Sequence, residues 1–310
     1  MTKVLSMNAQ SPSFTSLVTP TSLLFVPGDS ERKLSKADGV RADALILDLE
    51  DAVEQSRAAM ARGLVREYLL ARPFAERKRQ IWVRVNPMQS GIAAADLAEV
   101  VRGHPDVILL PKVKSAAEVD TLSHFLQILQ ERDCLPSPIA ICPTLTETPH
   151  SLLNAASFQS CVSPPKFMTW GPIDLAAALG ATTNRRTDGS LDAIYEFARG
   201  LCIVTARSIG AEPIDTICTD YKNDTVLRDE CIAARMAGFV GKLAIHPDQV
   251  DVINALFMPT QDEIVHAHKV VSAFKGGTGT FGLDGKMYDM PHLVQARTIL
   301  ARSAQHRPEI

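Results

Sequence analysis

Short apolar runs recur along this chain and alternate with connectors long enough to form a helix. Several of the runs are apolar throughout, which is typical of parallel strands covered on both faces. The predicted strands lie at residues 23–26, 44–48, 81–85, 107–110, 139–145, 167–170, 214–218 and 242–245. Eight strands that are each followed by helical sequence predict an α/β protein with a (β/α)8 TIM barrel. A doubly wound sheet has fewer strands and a glycine-rich turn after the first one, which this sequence lacks.

The domain organisation is predicted from the segments on either side of the barrel. Residues 1–20 lack the apolar block of a secretory signal and are predicted to be a flexible lead-in to a barrel at 21–259. Residues 260–310 are predicted to add C-terminal helices near 261–274 and 291–301. The glycine-rich stretch 275–282 between these helices is either a linker or part of a lid over a barrel mouth. The sequence alone leaves both interpretations open.

Composition and charge exclude several functional classes for a chain of 310 residues. The net charge of −3 gives no reason to expect nucleic acid or a membrane surface as a partner. No apolar stretch reaches the ~18 residues that a membrane span requires. The six cysteines form no C-x-x-C pair and are predicted to be reduced thiols, which is typical of a cytoplasmic protein.

Charged residues gather where predicted strands end, which is the edge at which barrel enzymes build their sites. Helix capping is the alternative role for any single acid, and for Asp174 the two roles are equally favoured. Glu147 is a less natural cap because its side chain is longer than a cap requires. The charged residues at these strand ends are Asp48, Glu50, Asp51, Arg84, Glu147 and Asp174.

Glu147 and Asp174 come from adjacent predicted strands without a histidine or cysteine of metal-binding spacing nearby. Two carboxylates of this kind favour a hard cation such as Mg²⁺, with water and substrate oxygens completing its coordination. Arg84 can hold a carboxylate or an oxyanion through two hydrogen bonds. The sequence therefore predicts a site that stabilises negative charge on oxygen while a carbon–carbon bond breaks or forms.

Two basic features are predicted to have structural roles. Lys112, at the end of the fourth predicted strand, is expected to be an ion-pair partner or a phosphate contact rather than a Schiff-base lysine. The Arg-Lys-Arg run at residues 77–79 is expected to be a solvated helix end that offsets the helix dipole.

Several motifs together resemble the citrate lyase beta chain family of the HpcH/HpaI aldolase superfamily. The opening Ser-Leu-Leu-Phe-Val-Pro-Gly-Asp-Ser-Glu-Arg-Lys-Leu (22–34) and Ala-Leu-Ile-Leu-Asp-Leu-Glu-Asp-Ala-Val (44–53) carry the likeness first. Further motifs are Val-Arg-Val-Asn-Pro (83–87), Leu-Leu-Pro-Lys-Val (109–113), Gly-Phe-Val-Gly-Lys-Leu-Ala-Ile-His-Pro (238–247) and Leu-Asp-Gly-Lys-Met-Tyr-Asp-Met-Pro (283–291). The resemblance covers residues 22–300. It implies a Mg²⁺-dependent lyase that cleaves or forms a β-hydroxyacyl-CoA thioester of the citryl-, malyl- or citramalyl-CoA type. The products of cleavage are a 2-oxo acid and an acyl-CoA.

The resemblance also implies roles for individual residues. Glu147 and Asp174 stand at the metal-ligand positions, and Arg84 is both catalytic and substrate-binding. Asp289 matches a catalytic aspartate on a C-terminal lid that comes from a neighbouring subunit, which implies a homo-oligomer, with a trimer favoured. The remaining positions bind substrate (Gly171, Pro172) or bond water on the metal (Asp48, Glu50, Asp51).

Two departures from the family pattern change the charge of the predicted pocket. His150 replaces a positively charged residue after the first ligand, and Ile173 replaces an acid before the second. They leave the acyl chain of the substrate open. The sequence also allows activities other than that of a CoA-dependent lyase. Thioester hydrolysis could accompany cleavage, or the enzyme could be a CoA-independent aldolase acting on hydroxy-oxo acids. The chain could also be the beta subunit of a citrate lyase complex with an acyl carrier protein, or a barrel that has lost catalysis and senses a metabolite.

Overall fold

The structure, a computed structural model, describes residues 17–274 and 279–305. Most of the lead-in predicted at 1–20, and residues 275–278 of the glycine-rich stretch, therefore lie outside the described residues. The chain divides between Ile253 and Asn254 into two compact units. Within the described ranges, no helix has both the length and the apolar character of a membrane span.

Eight parallel strands close into a barrel in sequence order, with β1 paired to both β2 and β8. The predicted (β/α)8 fold is thus confirmed, and every predicted strand overlaps an observed one. The seventh strand was predicted to continue to residue 218 but ends at Asp215, because Thr216 and Ile217 leave the sheet and line a cavity. The strands are β1 Ser22–Pro27, β2 Ala44–Asp48, β3 Gln80–Arg84, β4 Val107–Leu110, β5 Ala140–Leu145, β6 Phe167–Trp170, β7 Glu212–Asp215 and β8 Gly241–Ala244.

The core of the barrel unit is apolar and closely packed. Trp82 and Phe167 lie in tilted contact with ring centroids 4.9 Å apart, and both side chains are fully buried. Leu23, Ile46 and Leu109 from β1, β2 and β4 belong to the same cluster. Burial of each such side chain stabilises the fold by about 2 kcal/mol, which explains why apolar runs were a good guide to the strands.

Helices connect the strands, and several are capped by the polar residues that follow a strand. The Ser30 side chain accepts a hydrogen bond from the Lys33 amide at the start of α1. The helices are α1 Glu31–Ala37, α2 Ala58–Leu70, α3 Ala93–Val100, α4 Ala116–Arg132, α5 Pro149–Leu153, α6 Pro172–Leu179, α7 Ala193–Ser208, α8 Asp224–Ala237, α9 Asp248–Phe257, α10 Gln261–Phe274 and α11 Met290–Gln305. Short 3₁₀ turns at 55–57, 74–76, 88–90, 101–103 and 155–160 complete the connections.

The C-terminal unit contains α10, α11 and a small antiparallel hairpin of β9 (Phe281–Leu283) and β10 (Lys286–Tyr288). Both predicted helices are present, and α11 is longer than expected. Tyr288 stacks on Phe281 at 5.4 Å, above a small core that includes Ala267 and Val270. The unit therefore has a hydrophobic core of its own.

Candidate active site

The predicted barrel residues come together around a cavity of about 400 Å³ at the C-terminal ends of the strands. Its apolar wall includes Phe25, Leu109, Trp170, Ile217 and Leu243. Its polar wall contains all but one of the barrel residues that the sequence analysis singled out as site residues: Asp48, Asp51, Arg84, Glu147, Gly171, Pro172 and Asp174. Glu50, the remaining one, contacts Arg84 behind this wall.

Arg84 ends β3 and is held by the acids that follow β2. Its Nε and Nη2 atoms each lie 2.7 Å from a carboxylate oxygen of Asp48, and its Nη1 lies 2.8 Å from Glu50 Oε2. Asp48 is itself fixed by the backbone N–H groups of Glu50 and Ala52. Burial lowers the pKa of the guanidinium, but the bonds to Asp48 outweigh this and raise it. Arg84 is therefore a permanently charged, rigidly oriented cation on the cavity wall.

Lys112 joins the same group of acids from the end of β4. Its Nζ lies 2.6 Å from Glu50 Oε1, 3.0 Å from Asp51 Oδ1 and 3.3 Å from Asp174 Oδ1. The prediction that this lysine is an ion-pair partner is confirmed. Burial raises the pKa of Glu50 to about 7, although the neighbouring Arg84 and Lys112 both lower it.

Glu147 follows β5 after a sharp change of backbone direction. Thr146 has a left-handed φ of 62°, and Lys112, which faces it, has a φ of 54°. The Lys112 N–H donates to Glu147 Oε2 at 2.5 Å. Thr148, not Glu147, caps helix α5. Burial raises the pKa of the Glu147 carboxyl well above its usual range, and the nearby Asp174 carboxylate raises it further. A buried acid of this kind is stabilised when a cation approaches it.

Asp174 lies in the first turn of α6, where Gly171 occupies the N-cap position. Asp174 is thus not the cap of this helix, and its side chain is about one-third exposed on the cavity side. Gly171 adjoins Glu147 so closely that a Cβ there would lie 2.5 Å from Glu147 Cγ. The glycine keeps space open for the glutamate side chain.

The arrangement suits a hard divalent cation. Glu147 and Asp174 offer oxygen ligands only, and Glu147 is 5% exposed. Among the residues that the structure describes, no three His, Cys, Asp or Glu side chains form a complete metal cluster. Two carboxylates with open positions match Mg²⁺, which keeps several waters and takes substrate oxygens, better than Zn²⁺, which requires a nearly closed set of protein ligands.

Asp289 belongs to the C-terminal unit, where it begins the turn into α11. Its Oδ1 lies 2.6 Å from Nδ1 of His292, and both side chains are about 40% exposed. Tyr288 Oη lies 3.1 Å from Nε2 of His266 in the same unit. The carboxylate therefore has a fixed imidazole partner, which the sequence analysis did not anticipate, although the i, i+3 spacing was visible.

The two departures from the family pattern have different surroundings. Ile173 lines the cavity and is 47% exposed, whereas His150 is exposed on α5 and is not among the lining residues. The effect on the pocket therefore comes from Ile173. Lys112 is the functional residue that the analysis undervalued, and its position directly after Leu-Pro at a strand end was the available signal.

A second cavity, of about 310 Å³, shares Trp170 with the first and extends toward α7 and α8. At its base Lys242 Nζ lies 2.7 Å from Asp215 Oδ2 and 3.2 Å from Glu230 Oε2. The Trp170 indole N–H donates to Asp215 Oδ1 at 2.8 Å. Lys242 and Asp215 are both nearly fully buried, so this ion pair joins β7 to β8 inside the protein.

An arginine and two carboxylates at the mouth of a barrel are the groups that a barrel aldolase or lyase uses to act on an acid. Comparison of the sequence with known families shows to which family of such enzymes this chain belongs. Residues 21–247 match the HpcH/HpaI aldolase/citrate lyase family, and residues 199–306 match the C–C bond lyases of the TIM-barrel fold. The chain belongs to the HpcH/HpaI aldolase/citrate lyase family.

Individual relatives share nearly the whole chain. It is 35% identical over 288 residues to a (3S)-malyl-CoA thioesterase from Cereibacter sphaeroides, covering 91% of this chain and 94% of that one. It is 33% identical over 293 residues to mitochondrial citramalyl-CoA lyase from Rattus norvegicus, covering 90% and 84%. The crystal structure of CitE from Mycobacterium tuberculosis with magnesium, acetoacetate and coenzyme A matches with a TM-score of 0.76 and 28% identity, over 93% of this chain and 99% of that one.

Proposed function

We propose that this protein is a Mg²⁺-dependent carbon–carbon lyase acting on a β-hydroxyacyl-CoA thioester of the malyl-, citramalyl- or citryl-CoA type. The observation that carries the proposal is the placement of Arg84, Glu147 and Asp174 around one cavity. The relatives named for malyl-CoA and citramalyl-CoA, and the CitE complex with coenzyme A, support this substrate class.

Glu147 and Asp174 would hold the metal ion. A bound Mg²⁺ supplies Lewis-acid stabilisation to a carboxylate oxygen and to the adjacent hydroxyl or carbonyl oxygen of the substrate. The high pKa of Glu147 in the metal-free site favours this assignment, since a divalent cation relieves the cost of burying that charge. Gly171 leaves Glu147 room to bind, and Pro172 continues the substrate-facing wall.

Arg84 would hold the carboxylate or the developing oxyanion of the oxo-acid half. Asp48 and Glu50 fix the guanidinium, and its further N–H donors remain for substrate oxygens. In cleavage, the substrate hydroxyl would give its proton to a water molecule, and the electron pair of that O–H bond would form the carbonyl of the 2-oxo acid. The electrons of the broken carbon–carbon bond form the enolate of the acyl thioester. Asp51 lies 3.5 Å from Arg84, and Asp48 accepts a hydrogen bond from the backbone N–H of Glu50. Asp48, Glu50 and Asp51 are thereby held beside Arg84, and we propose that they also bond water on the metal.

Asp289, or a water that it holds, would return a proton to the α-carbon of that enolate. His292 is bonded to the same carboxylate and would fix its orientation. If Asp289 activated water instead, hydrolysis of the thioester would follow cleavage. The relative named as a thioesterase makes hydrolysis the second candidate activity.

The proposed lid role of Asp289 implies an assembly in which copies of the chain share active sites. We propose a homotrimer in which Asp289 of one copy completes the site of another, as family resemblance suggests. Five of the six free cysteines are buried, which is consistent with a reducing compartment such as the cytoplasm.

Mixing inactive Arg84→Met protein with inactive Asp289→Asn protein should restore part of the activity if copies share sites. Mixtures that remain inactive, or a monomer by light scattering, would remove the shared site.

A coupled assay tests the proposed reaction. Malyl-CoA, citramalyl-CoA and citryl-CoA are each incubated with Mg²⁺, and release of 2-oxo acid and of free thiol is followed separately. Oxo acid without thiol establishes a lyase, and both products together establish hydrolysis as well. Glu147→Gln and Asp174→Asn should each abolish turnover with little loss of fold. Turnover of free hydroxy-oxo acids, or of carrier-bound substrate alone, would instead favour the CoA-independent aldolase or the citrate lyase subunit.

A further inference from the structure

Lys112 is the residue that contacts both proposed metal ligands. Its backbone N–H donates to Glu147 Oε2 at 2.5 Å, and its Nζ lies 3.3 Å from Asp174 Oδ1. The same ammonium group lies 2.6 Å from Glu50 and 3.0 Å from Asp51. One cation thus bridges a proposed metal ligand and the acids that follow β2.

The position of this lysine is fixed by the fold. Lys112 has a left-handed φ of 54°, a conformation that costs a non-glycine residue about 1 kcal/mol and persists where surrounding contacts impose it. The hydrogen bond to Glu147 is such a contact. The side chain is 29% exposed and its ammonium lies between Glu50, Asp51 and Asp174, unlike that of a freely solvated surface lysine.

The charges around Lys112 show how this lysine affects the binding of a metal ion. The ion pairs of this group join two cations, Arg84 and Lys112, to four carboxylates, and the carboxylate of Glu147 lies beside them: the acids are Asp48, Glu50, Asp51, Asp174 and Glu147. Arg84 is paired with Asp48 and Glu50, whereas the ammonium of Lys112 lies next to Asp174. A divalent cation that binds Asp174 must therefore compete with this ammonium at short range, where charge interactions are strong.

We propose that Lys112 is an internal counter-cation, which neutralises Asp174 while the site holds no metal and is displaced from Asp174 when a divalent cation binds. The inference rests on the proposed function, because it takes Glu147 and Asp174 as the ligands. Lys112 thereby lowers the affinity for the cation alone. Tight cation binding then requires the extra oxygens of the substrate, so that metal and substrate bind together.

Open space adjoins Lys112. A hollow of about 430 Å³ is lined by Gln89, Lys112, Lys114 and Thr148 as well as by the two proposed ligands. The Lys112 side chain therefore has room to change rotamer when a cation binds Asp174, and Glu50 and Asp51 are its other ion-pair partners.

Calorimetric titration with Mg²⁺ alone tests the inference. Lys112→Met should bind Mg²⁺ at least about tenfold more tightly than the unsubstituted protein, because the competing charge is gone. Lys112→Arg keeps the charge and should bind with nearly unchanged affinity. Lys114→Met is the matched control, since it removes a lysine from the same loop, and its affinity should also be unchanged.

The outcomes separate this inference from the proposed function. If the unsubstituted protein binds Mg²⁺ and Lys112→Met binds it equally or more weakly, Lys112 is a support for the ligands and the inference is overturned alone. If neither the unsubstituted protein nor Lys112→Met binds Mg²⁺, with or without a 2-oxo acid present, the proposed function fails and the inference fails with it.

Thermal unfolding gives a second readout that does not depend on activity. In EDTA, Lys112→Met should unfold at a lower temperature, since Glu50 and Asp174 lose their counter-charge. Saturating Mg²⁺ should then raise the Tm of Lys112→Met more than that of the unsubstituted protein. Lys112→Gln, whose amide can still bond Glu50, serves if the methionine variant does not fold. An equal Mg²⁺-induced rise in variant and parent would refute displacement.

Discussion

The α-carbon of Gly171 faces the side chain of Glu147 so closely that an added Cβ would lie 2.5 Å from Cγ and 2.7 Å from Oε1. Gly171 itself has a φ of −136°, which any residue can adopt. The glycine is therefore required by the space beside a proposed metal ligand and not by the backbone. This relationship makes the position a sensitive test of the site.

Gly171→Ala should displace Glu147 and weaken Mg²⁺ binding by at least about tenfold, because the new methyl group contacts the carboxylate itself. The measurement is Mg²⁺ titration calorimetry together with chemical denaturation. Gly63→Ala in α2 is the control, since a Cβ there has no atom within 4 Å. It should leave Mg²⁺ binding unchanged and stabilise the helix by about 1 kcal/mol. Unchanged Mg²⁺ affinity in Gly171→Ala would separate Gly171 from the metal site.

Replacement of Arg84 should affect both stability and catalysis. Arg84→Met leaves Asp48, 1% exposed, without its counter-charge, and should lower the free energy of unfolding by about 3 kcal/mol. Arg84→Lys retains a charge but not the paired bonds to Asp48, and should mainly reduce kcat, by about 100-fold. The control is Arg57→Met, which breaks a half-exposed pair with Asp29 and should cost less than about 1 kcal/mol. Denaturation curves that do not distinguish Arg84→Met from Arg57→Met would contradict this ranking.

Loss of one partner of the buried Lys242–Asp215 pair should cost more stability than loss of both charges. Lys242→Met removes the nearest cation from the buried Asp215 carboxylate, whose next one, Arg199 Nε, lies 3.7 Å away, and should reduce the free energy of unfolding by about 3 kcal/mol. Adding Asp215→Asn to that variant should recover part of the loss, since no unpaired charge then remains beside the indole of Trp170. A double-mutant cycle by urea denaturation measures both effects. Strictly additive losses would show that the two groups do not interact.

Stability should depend on pH through His104. Burial lowers the pKa of this imidazole below 6.5, and the nearby Arg77 adds to the effect, although the bond to the Ser137 carbonyl opposes it. The folded protein thus binds the proton less readily than the unfolded chain. The contribution of His104 to stability is fully present above pH 6.5 and is lost as the pH falls through the lowered pKa. His104→Asn, which tolerates the left-handed φ of 51°, should remove this slope. Urea denaturation between pH 8 and pH 5 should show the advantage of the parent over His104→Asn shrinking with acidity, and a constant difference would count against it.

The barrel and the location of the site could be read from the sequence because both depend on local patterns. Parallel strands covered on both faces give continuous apolar runs, and several strands of this chain show them, for example β4 with Val-Ile-Leu-Leu. The carboxyl ends of such strands share one edge, so Arg84, Glu147 and Asp174 could be expected near each other before any coordinates. The sequence could not decide whether Asp174 caps α6, because this depends on where the helix begins. The structure has Gly171 at the N-cap and Asp174 inside the first turn.

Pairings between distant residues were beyond such patterns. The run at 77–79 was predicted to be a solvated helix end, and this was wrong for Arg77. Its side chain is 4% exposed and donates to the carbonyls of Gly103 and His104 and to Asp106. Nothing in three consecutive basic residues indicates a partner nearly 30 positions away. Lys112 was correctly predicted to be an ion-pair partner, but the acids that it pairs with were not predicted, because they follow two other strands, β2 and β6.

Trp170 borders both cavities, and its indole is tied to Asp215. The only other tryptophan in the sequence, Trp82, lies buried against Phe167 in the barrel interior. The molecule therefore contains an intrinsic optical reporter at its mouth. In a Trp82→Phe background, the fluorescence emission of Trp170 alone would follow changes in polarity on either side of its ring. Changes at the Lys242–Asp215 ion pair and in the proposed catalytic cavity can then be observed through one signal without a label.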